Sequence, residues 1–382
     1  MLTTLGTSAA FAGSISPASV SASLGLGETL EVVKRVTTDL GGGLIDFLFL
    51  ADNTGSMGGV IGNVQSVAST LLTDLKTTYS GAQFAVARYF GDPSEGVGYG
   101  SNSYQVLQTS TPDTTAASLA INGWIASGGD DTPEANFYAL QQAVQNGAST
   151  CPGGLGSSGS CGGSADPVDW RPGARKVALW FGDAPSHQQT VTMSHATTIL
   201  KDANVSLIAF NNSGATSGLD ENYEDGGQIG FQASTVTTAL GSHGALINDF
   251  ASVPPAEILA TVKSAVGDVT SKSNISLAVL GGTPAGLNVS FSCSDPLGCN
   301  DVNAGDSREL TMSIQALAPG DYTFDVYSPG VTDESGALAL ERDRIRVGAV
   351  NSVPTPLPLV GAAATFNFSR KIRRRLRGIG KA

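Results

Sequence analysis

Histidine is scarce in this chain. Its 382 residues hold three, His187, His195 and His243, and none lies in a His-Glu-x-x-His pattern. That removes the usual helical zinc-hydrolase signature. No Gly-x-Ser-x-Gly elbow occurs, which removes the common strand–turn–helix serine nucleophile. The expectation is a protein that is not an enzyme; a hydrolase using Asp183, His187 and a Ser is the alternative. Cysteine is thin too: four residues, none spaced Cys-x-x-Cys, so no zinc knuckle or dithiol redox site is written here. Charged residues make up only 14% of the chain. Basic charge is thinner still outside the tail. Residues 351–382 hold seven Lys or Arg and no acid, so a net −12 becomes −19 once those cations are set aside. An acidic body argues against nucleic acid as a partner, with a basic tail that binds nucleic acid as the alternative for residues 351–382. The apolar stretch Leu357 to Phe368 has only twelve residues, too few for an ordinary spanning helix.

Glycine, by contrast, is abundant at 48 residues, and the length suits two domains with sizeable cores. The most informative stretch runs from Leu44 to Met57. It begins as a continuous apolar run, the pattern of a strand buried on both faces. It ends with Asp52, Thr54 and Ser56 at alternate positions, and Gly55 permits a tight turn between the hydroxyls. An oxygen-only cluster at the carboxyl end of a buried strand suits a hard cation. The same residues also suit an ordinary capped turn.

Two further segments belong with it. Ser127-Gly128-Gly129-Asp130-Asp131-Thr132-Pro133-Glu134 precedes a helical pattern, and Lys176 to Asp183 is a second buried-strand pattern ending in Asp. In order and spacing, Asp52-x-Thr54-x-Ser56, Thr132 and Asp183 resemble the metal-ion-dependent adhesion site of von Willebrand factor A domains. The family's usual second position is Ser, where this chain has Thr54. The resemblance spans residues 44–270. It implies a doubly wound, mostly parallel α/β sheet, and one Mg²⁺ (or Mn²⁺) held by Asp52, Thr54, Ser56, Thr132 and Asp183, directly or through water. It also implies a protein or polymer partner that offers a carboxylate, and a last helix, Glu257 to Val269, able to couple binding to movement.

The pattern between these segments alternates. Helical spacing covers Val60 to Leu75, Thr114 to Ile125, Glu134 to Val144 and Glu257 to Val269; strand patterns cover Phe84 to Phe90, Val177 to Phe181, Val205 to Phe210 and Gly244 to Ile247. Alternation of this kind predicts a parallel sheet with helices on both faces and a site beyond the strands' carboxyl ends. Residues 151–173 read as a Gly/Ser-rich surface insertion. The acidic run Asp220 to Asp225 lacks calcium-loop spacing and reads as solvated, with a second cation as the alternative. The cysteines form two close pairs in loops, Cys151 with Cys161 and Cys293 with Cys299. Each reads as a local disulfide, which places the chain in an oxidising compartment; free thiols are the other reading.

On either side of the α/β segment the period changes to two. Residues 14–42 carry alternating strands around Gly25-Leu26-Gly27-Glu28, read as half-buried and antiparallel, and residues 272–348 carry five more. Two strands are too few to fold alone. One antiparallel β-sandwich made from both segments, with the α/β domain inserted, is the economical reading. Integrin β subunits resemble that arrangement; two independent β pieces are the alternative.

The C-terminal residues 351–382 join a Pro-rich run, Val353 to Pro358, to the short apolar stretch and then to Arg370-Lys371-Ile372-Arg373-Arg374-Arg375. The order resembles a PEP-CTERM sorting tail, with Pro-Thr-Pro-Leu-Pro in place of Pro-Glu-Pro. That implies transient membrane contact, an exosortase-type processing enzyme, and a cell-surface or matrix location in a Gram-negative-type bacterium. Residues 1–13 contain Ala10-Phe11-Ala12, similar to a signal-peptidase site, behind too short an apolar region and no basic start. A truncated signal segment and another export route both fit. The expected product is an exported binding module, or else a structural matrix component without its own ligand.

Overall fold

The computed structural model describes residues 12–39, 43–93, 103–129, 132–145, 167–224, 230–333 and 336–348. Cys151 and Cys161 lie outside these residues, and so does the disulfide expected between Cys151 and Cys161. Asp130, Asp131 and both terminal segments lie outside them too.

The apolar run of the sequence becomes the centre of the larger sheet. Strand β4 (Ile45–Asp52) is buried at every position. Phe47 and Phe49 face one core, Leu48 and Leu50 the other. Each such side chain contributes about 1.5–3 kcal/mol by leaving water. Parallel neighbours stand on both sides of β4: β5 (Ala82–Tyr89) and β7 (Arg175–Gly182). Beyond β7 follow β8 (Val205–Asn211) and β9 (Gly244–Ile247), also parallel. The edge strand β6 (Tyr104–Thr111) is antiparallel to β5. The strand order is thus β6-β5-β4-β7-β8-β9. The fold is a doubly wound, mostly parallel α/β sheet accompanied by separate antiparallel sheets.

Helices cover both faces. On one, α1 (Gly58–Thr78), α2 (Thr114–Asn122) and α6 (Pro255–Thr270) bury apolar stripes against Phe47, Phe49, Phe181 and Phe210. On the other, α3 (Asn136–Val144), α4 (Met193–Asp202) and α5 (Gln232–Ala239) pack on Leu48, Leu50 and Trp180. Sequence periodicity does not announce β6, α4 or α5. Helix α4 has only two buried side chains, Ala196 and Leu200, so its apolar stripe is short. Asp46 interrupts the apolar run of β4 and is neutralised by Arg171, whose Nε and backbone N each lie 2.7 Å from its carboxylate.

Two helices are shorter than expected. Helix α2 stops at Asn122, where Gly123 caps it, and does not reach Ile125. Helix α3 starts at Asn136, because Glu134 is held in an extended bridge to Ser186.

The remaining strands form two facing antiparallel-rich sheets and a short ribbon. One sheet has the order β1 (Ser14–Ser16), β3 (Thr29–Thr37), β14 (Ser307–Ala316), β12 (Leu287–Cys293). The other has β11 (Ala278–Val279), β15 (Gly320–Thr332), β16 (Leu338–Gly348), β2 (Ser21–Gly25). The ribbon pairs β10 (Lys272–Ser273) with β13 (Val302–Asn303). Val36, Met312, Ile314, Val326 and Ile345 meet between the two sheets. The strands around Gly25 to Glu28 do not pair with each other. The tight turn, Glu28 N to Gly25 O at 3.0 Å, sends β2 into one sheet and β3 into the other. There β2 runs parallel to β16, which corrects the antiparallel expectation. Alternation shows that a strand has one buried face; it does not name the neighbour. Cys293 and Cys299 are joined by a disulfide, with their Cα atoms 5.9 Å apart.

The two crossings between sandwich and α/β domain are tied at their base. Arg175, on β7, donates to Thr270 O at 2.6 Å and also to Ser273 Oγ. Asp39 accepts from Thr332 N and Oγ1, 3.1 and 2.8 Å away.

Candidate metal centre

Strand order reverses at β4, and in such sheets the carboxyl ends of the strands at that switch, here β4 and β7, mark the crevice where ligands sit. Asp52 ends β4, and Asp183 follows β7 by one residue. After Asp52 the chain makes a single tight helical turn, Gly55–Met57, and enters α1.

Asp52 is fully buried. Its Oδ1 accepts from Thr54 N at 2.8 Å, which shapes the turn. Its Oδ2 is buried with no hydrogen-bond partner. Thr54 Oγ1 lies 3.3 Å from Ser56 Oγ, and Ser56 Oγ donates to Asp183 Oδ1 at 3.1 Å. Four of the five expected ligand residues are therefore neighbours. The fifth, Thr132, is exposed on the adjoining loop, preceding Pro133.

That loop is fastened to the end of β4. Gly55 N donates to Gly128 O at 2.9 Å, and Ser127 N to Asn53 O at 2.9 Å. Gly129 passes so close that a Cβ there would stand 2.7 Å from Thr54 Cβ, and its φ of +82° suits glycine. Past Thr132, Glu134 N donates to Pro185 O and His187 N to Glu134 O, at 2.9 and 2.8 Å. All three site segments are thereby locked together by backbone hydrogen bonds.

The electrostatics are one-sided. Burial pushes the Asp52 carboxyl up to about 7; Thr54 N opposes the shift, and the charge of Asp183 adds to it. Asp183 is held above the usual carboxylate range by burial, against its hydrogen bond from Ser56. Beneath the site, burial first and then Asp52, Glu134 and Asp183 keep the Tyr89 hydroxyl protonated. Among the described residues no cationic side chain acts on Asp52 or Asp183.

Glu134 is the residue that sequence reasoning misses. It is buried, acts on Tyr89, and lies beside the Gly129 approach to Thr54. Helical spacing assigns it to the first turn of a helix. The available signal is an acid immediately after Thr132-Pro133 in a loop already implicated. Two of the histidines find partners elsewhere: His195 meets Gln141 at 3.2 Å, and His243 meets Ser206 at 3.2 Å. His187 is buried, and its backbone N donates to Glu134 O. In the acidic loop, Asp220 is buried and accepts from Ser234 N at 2.7 Å, which makes it a brace for α5.

The donor set fits a hard divalent cation. It offers carboxylates and hydroxyls only, it has an orphaned buried oxygen on Asp52, and it has no internal counter-charge among the described residues.

No protein-family model matches this chain, and no curated protein matches it. Among solved structures it is similar to a von Willebrand factor type A protein from Catenulispora acidiphila. The identity is 14% and the TM-score 0.41, over 92% of this chain and 77% of that one. It is also similar to the pilus adhesin SpaC from Lactobacillus rhamnosus GG in its open conformation. There the identity is 10% and the TM-score 0.36, over 83% of this chain and 45% of the adhesin.

Proposed function

We propose that the crevice is a divalent-cation site of the von Willebrand factor A type, through which the chain binds a partner outside the cytoplasm. The observation that carries this is Asp52 Oδ2, fully buried, without a hydrogen-bond partner and, among the described residues, without a facing cation. An ionised carboxylate in that position is stable only when something positive completes it. Asp52, Ser56, Thr54 and Asp183 would hold Mg²⁺ or Mn²⁺, with Thr132 and Glu134 at its margin. The ion would supply a Lewis-acidic point of attachment at the protein surface.

The surroundings suit recognition of a macromolecule. Ser56, Ser127 and Thr132 are exposed around the crevice, and Ile125 on the same rim is 62% exposed. A carboxylate from a protein or polymer would complete the cation, while Ile125 offers apolar contact. The acidic body repels such a partner at long range, so the ion provides the local attraction.

The Cys293–Cys299 disulfide supports an oxidising compartment. With the tail pattern of residues 351–382, it favours an exported protein sorted at the envelope by an exosortase-type enzyme. Deleting residues 354–382 should change retention at the cell surface; unchanged retention would remove the sorting reading. For the site itself, titration calorimetry of the full chain with MgCl₂ should show binding that Asp52→Ala abolishes. Equal affinity in both proteins would sink the cation site. Partner capture that persists in EDTA would leave the ion a structural role.

A further inference from the structure

The sandwich core contains three charged side chains where its strand pattern calls for apolar ones. On β3, the inward positions are Leu30, Val32, Lys34 and Val36, while Val33 faces solvent at 54% exposure. On β16, the inward positions are Ala339, Glu341, Asp343, Ile345 and Val347, while Leu340 faces out. The two strands belong to opposite sheets. Lys34, Glu341 and Asp343 therefore meet across the core, and all three are completely buried.

An ionic reading of this group does not close. One ammonium faces two carboxylates, so the fully ionised trio leaves an excess negative charge away from water. Lys34 Nζ contacts Glu341 Oε1 and lies 3.5 Å from Asp343 Oδ2. Asp343 Oδ1 is anchored by Val20 N at 2.6 Å. Glu341 Oε2 and Asp343 Oδ2 are buried with no hydrogen-bond partner. Burial also lowers the Lys34 ammonium from its ordinary value, and burial raises Asp343. Both shifts favour an uncharged, nucleophilic amine beside a protonated Asp343, an acid placed to relay protons.

We propose that Lys34 and Glu341 condense spontaneously into an intramolecular amide bond that staples the two sheets. The Nζ lone pair attacks Cδ of Glu341. The new C–N bond replaces a C–O bond, and the departing hydroxyl leaves with a proton from the nitrogen as one water. Asp343, next to the reacting atoms, takes the proton from nitrogen and delivers it to the hydroxyl, ending in the state in which it began. No oxidant or cofactor is needed. The product removes one ammonium and one carboxylate from the core. Its remaining N–H can donate to Asp343 Oδ2, the oxygen now orphaned. A water-free enclosure suits the step, because water to reverse it is absent.

The position of the bond gives it a mechanical consequence. The ring it closes spans residues 34–341 and contains the whole α/β domain. Tension applied through the chain ends would pass through the amide and bypass the metal site. That consequence holds whether or not the crevice binds a cation.

The test is the intact mass of the purified full chain, denatured and reduced. The expected value is one water below the sequence mass, and proteolysis should release a branched peptide joining Lys34 to Glu341. Lys34→Arg and Glu341→Ala should each restore the full sequence mass. Asp343→Asn should give a folded chain, checked by circular dichroism, in which the uncondensed mass dominates. A wild-type chain that is folded but has the full sequence mass overturns the proposal. So does a branched peptide that joins Lys34 to Asp343. The wild-type measurement decides the matter even where a variant fails to fold.

Discussion

Two groups of carboxylates are buried in this molecule, under different terms. Asp52 and Asp183 lie where the parallel sheet ends, with exposed Ser56 beside them and no cation of the described chain facing them. Glu341 and Asp343 lie inside the sandwich and share Lys34, which is itself closed off from solvent. The first group is incomplete but reachable, so an ion from solution can complete it. The second is unreachable and must be neutralised from within. A buried acid is thus informative about function mainly when its surroundings say where its counter-charge can come from.

Removing Lys34, the one group both acids share, should have the largest effect. Lys34→Ala leaves two buried acids facing each other, and urea unfolding should show a loss of about 3–5 kcal/mol. An unchanged midpoint would mean that water reaches the trio, and the contrast between the two regions would disappear. The open site should behave in the opposite sense. In EDTA, Asp52→Asn should unfold at the same temperature as wild type or higher, because it deletes an unpaired buried charge. With Mg²⁺ at about a hundredfold excess over its dissociation constant, wild type alone should gain about 2.7 kcal/mol. A metal-free loss of stability in the variant would show that Asp52 is already neutralised by the fold.

Smaller effects sharpen the comparison. Removing the sandwich's disulfide with Cys293→Ser should lower stability by about 2 kcal/mol in the loop-entropy model. Mg²⁺ affinity should not move; if it does, the two regions are coupled. Glu134→Gln should weaken Mg²⁺ binding about tenfold, the usual scale for a carboxylate that supports a metal site. No change in calorimetric affinity would return Glu134 to a purely structural role. Smallest of all is the exposed pair Arg342–Asp325 on the outer face of the sandwich. Arg342→Ala should leave the unfolding midpoint within experimental scatter, since exposed pairs contribute little. A large shift there would show that the sandwich depends on its surface charges as well as on its buried ones.

Legibility differs between the same two regions. β4 is readable because burial on both faces leaves a continuous apolar run, and its end is readable because oxygen ligands repeat at alternate positions. β6 is not: most of Tyr104–Thr111 is half-buried at an edge, so no run or clean alternation marks it. Glu134 passes for a helical residue because helical spacing continues through it, and only its bridge to Ser186 holds it extended. Lys34 looks like an ordinary charge on an alternating strand. Val33 and Lys34 differ in face, and the side that is buried depends on which sheet accepts the strand.

What the sequence determined by itself was local: the period of each segment, the buried central strand, the turn with Asp52, Thr54 and Ser56, and the close pair Cys293 and Cys299. These follow from spacing and from chemistry carried within a few residues. Tertiary structure alone decided the partners. It placed Asp183 beside Ser56, 127 positions away, ran β2 parallel to β16, and brought Lys34 to Glu341 across 307 positions. Contacts at such range are set by how sheets stack and where strands insert. One residue's periodicity does not encode the strand it will face, so the counter-charge of each buried acid becomes visible only when the chain is folded.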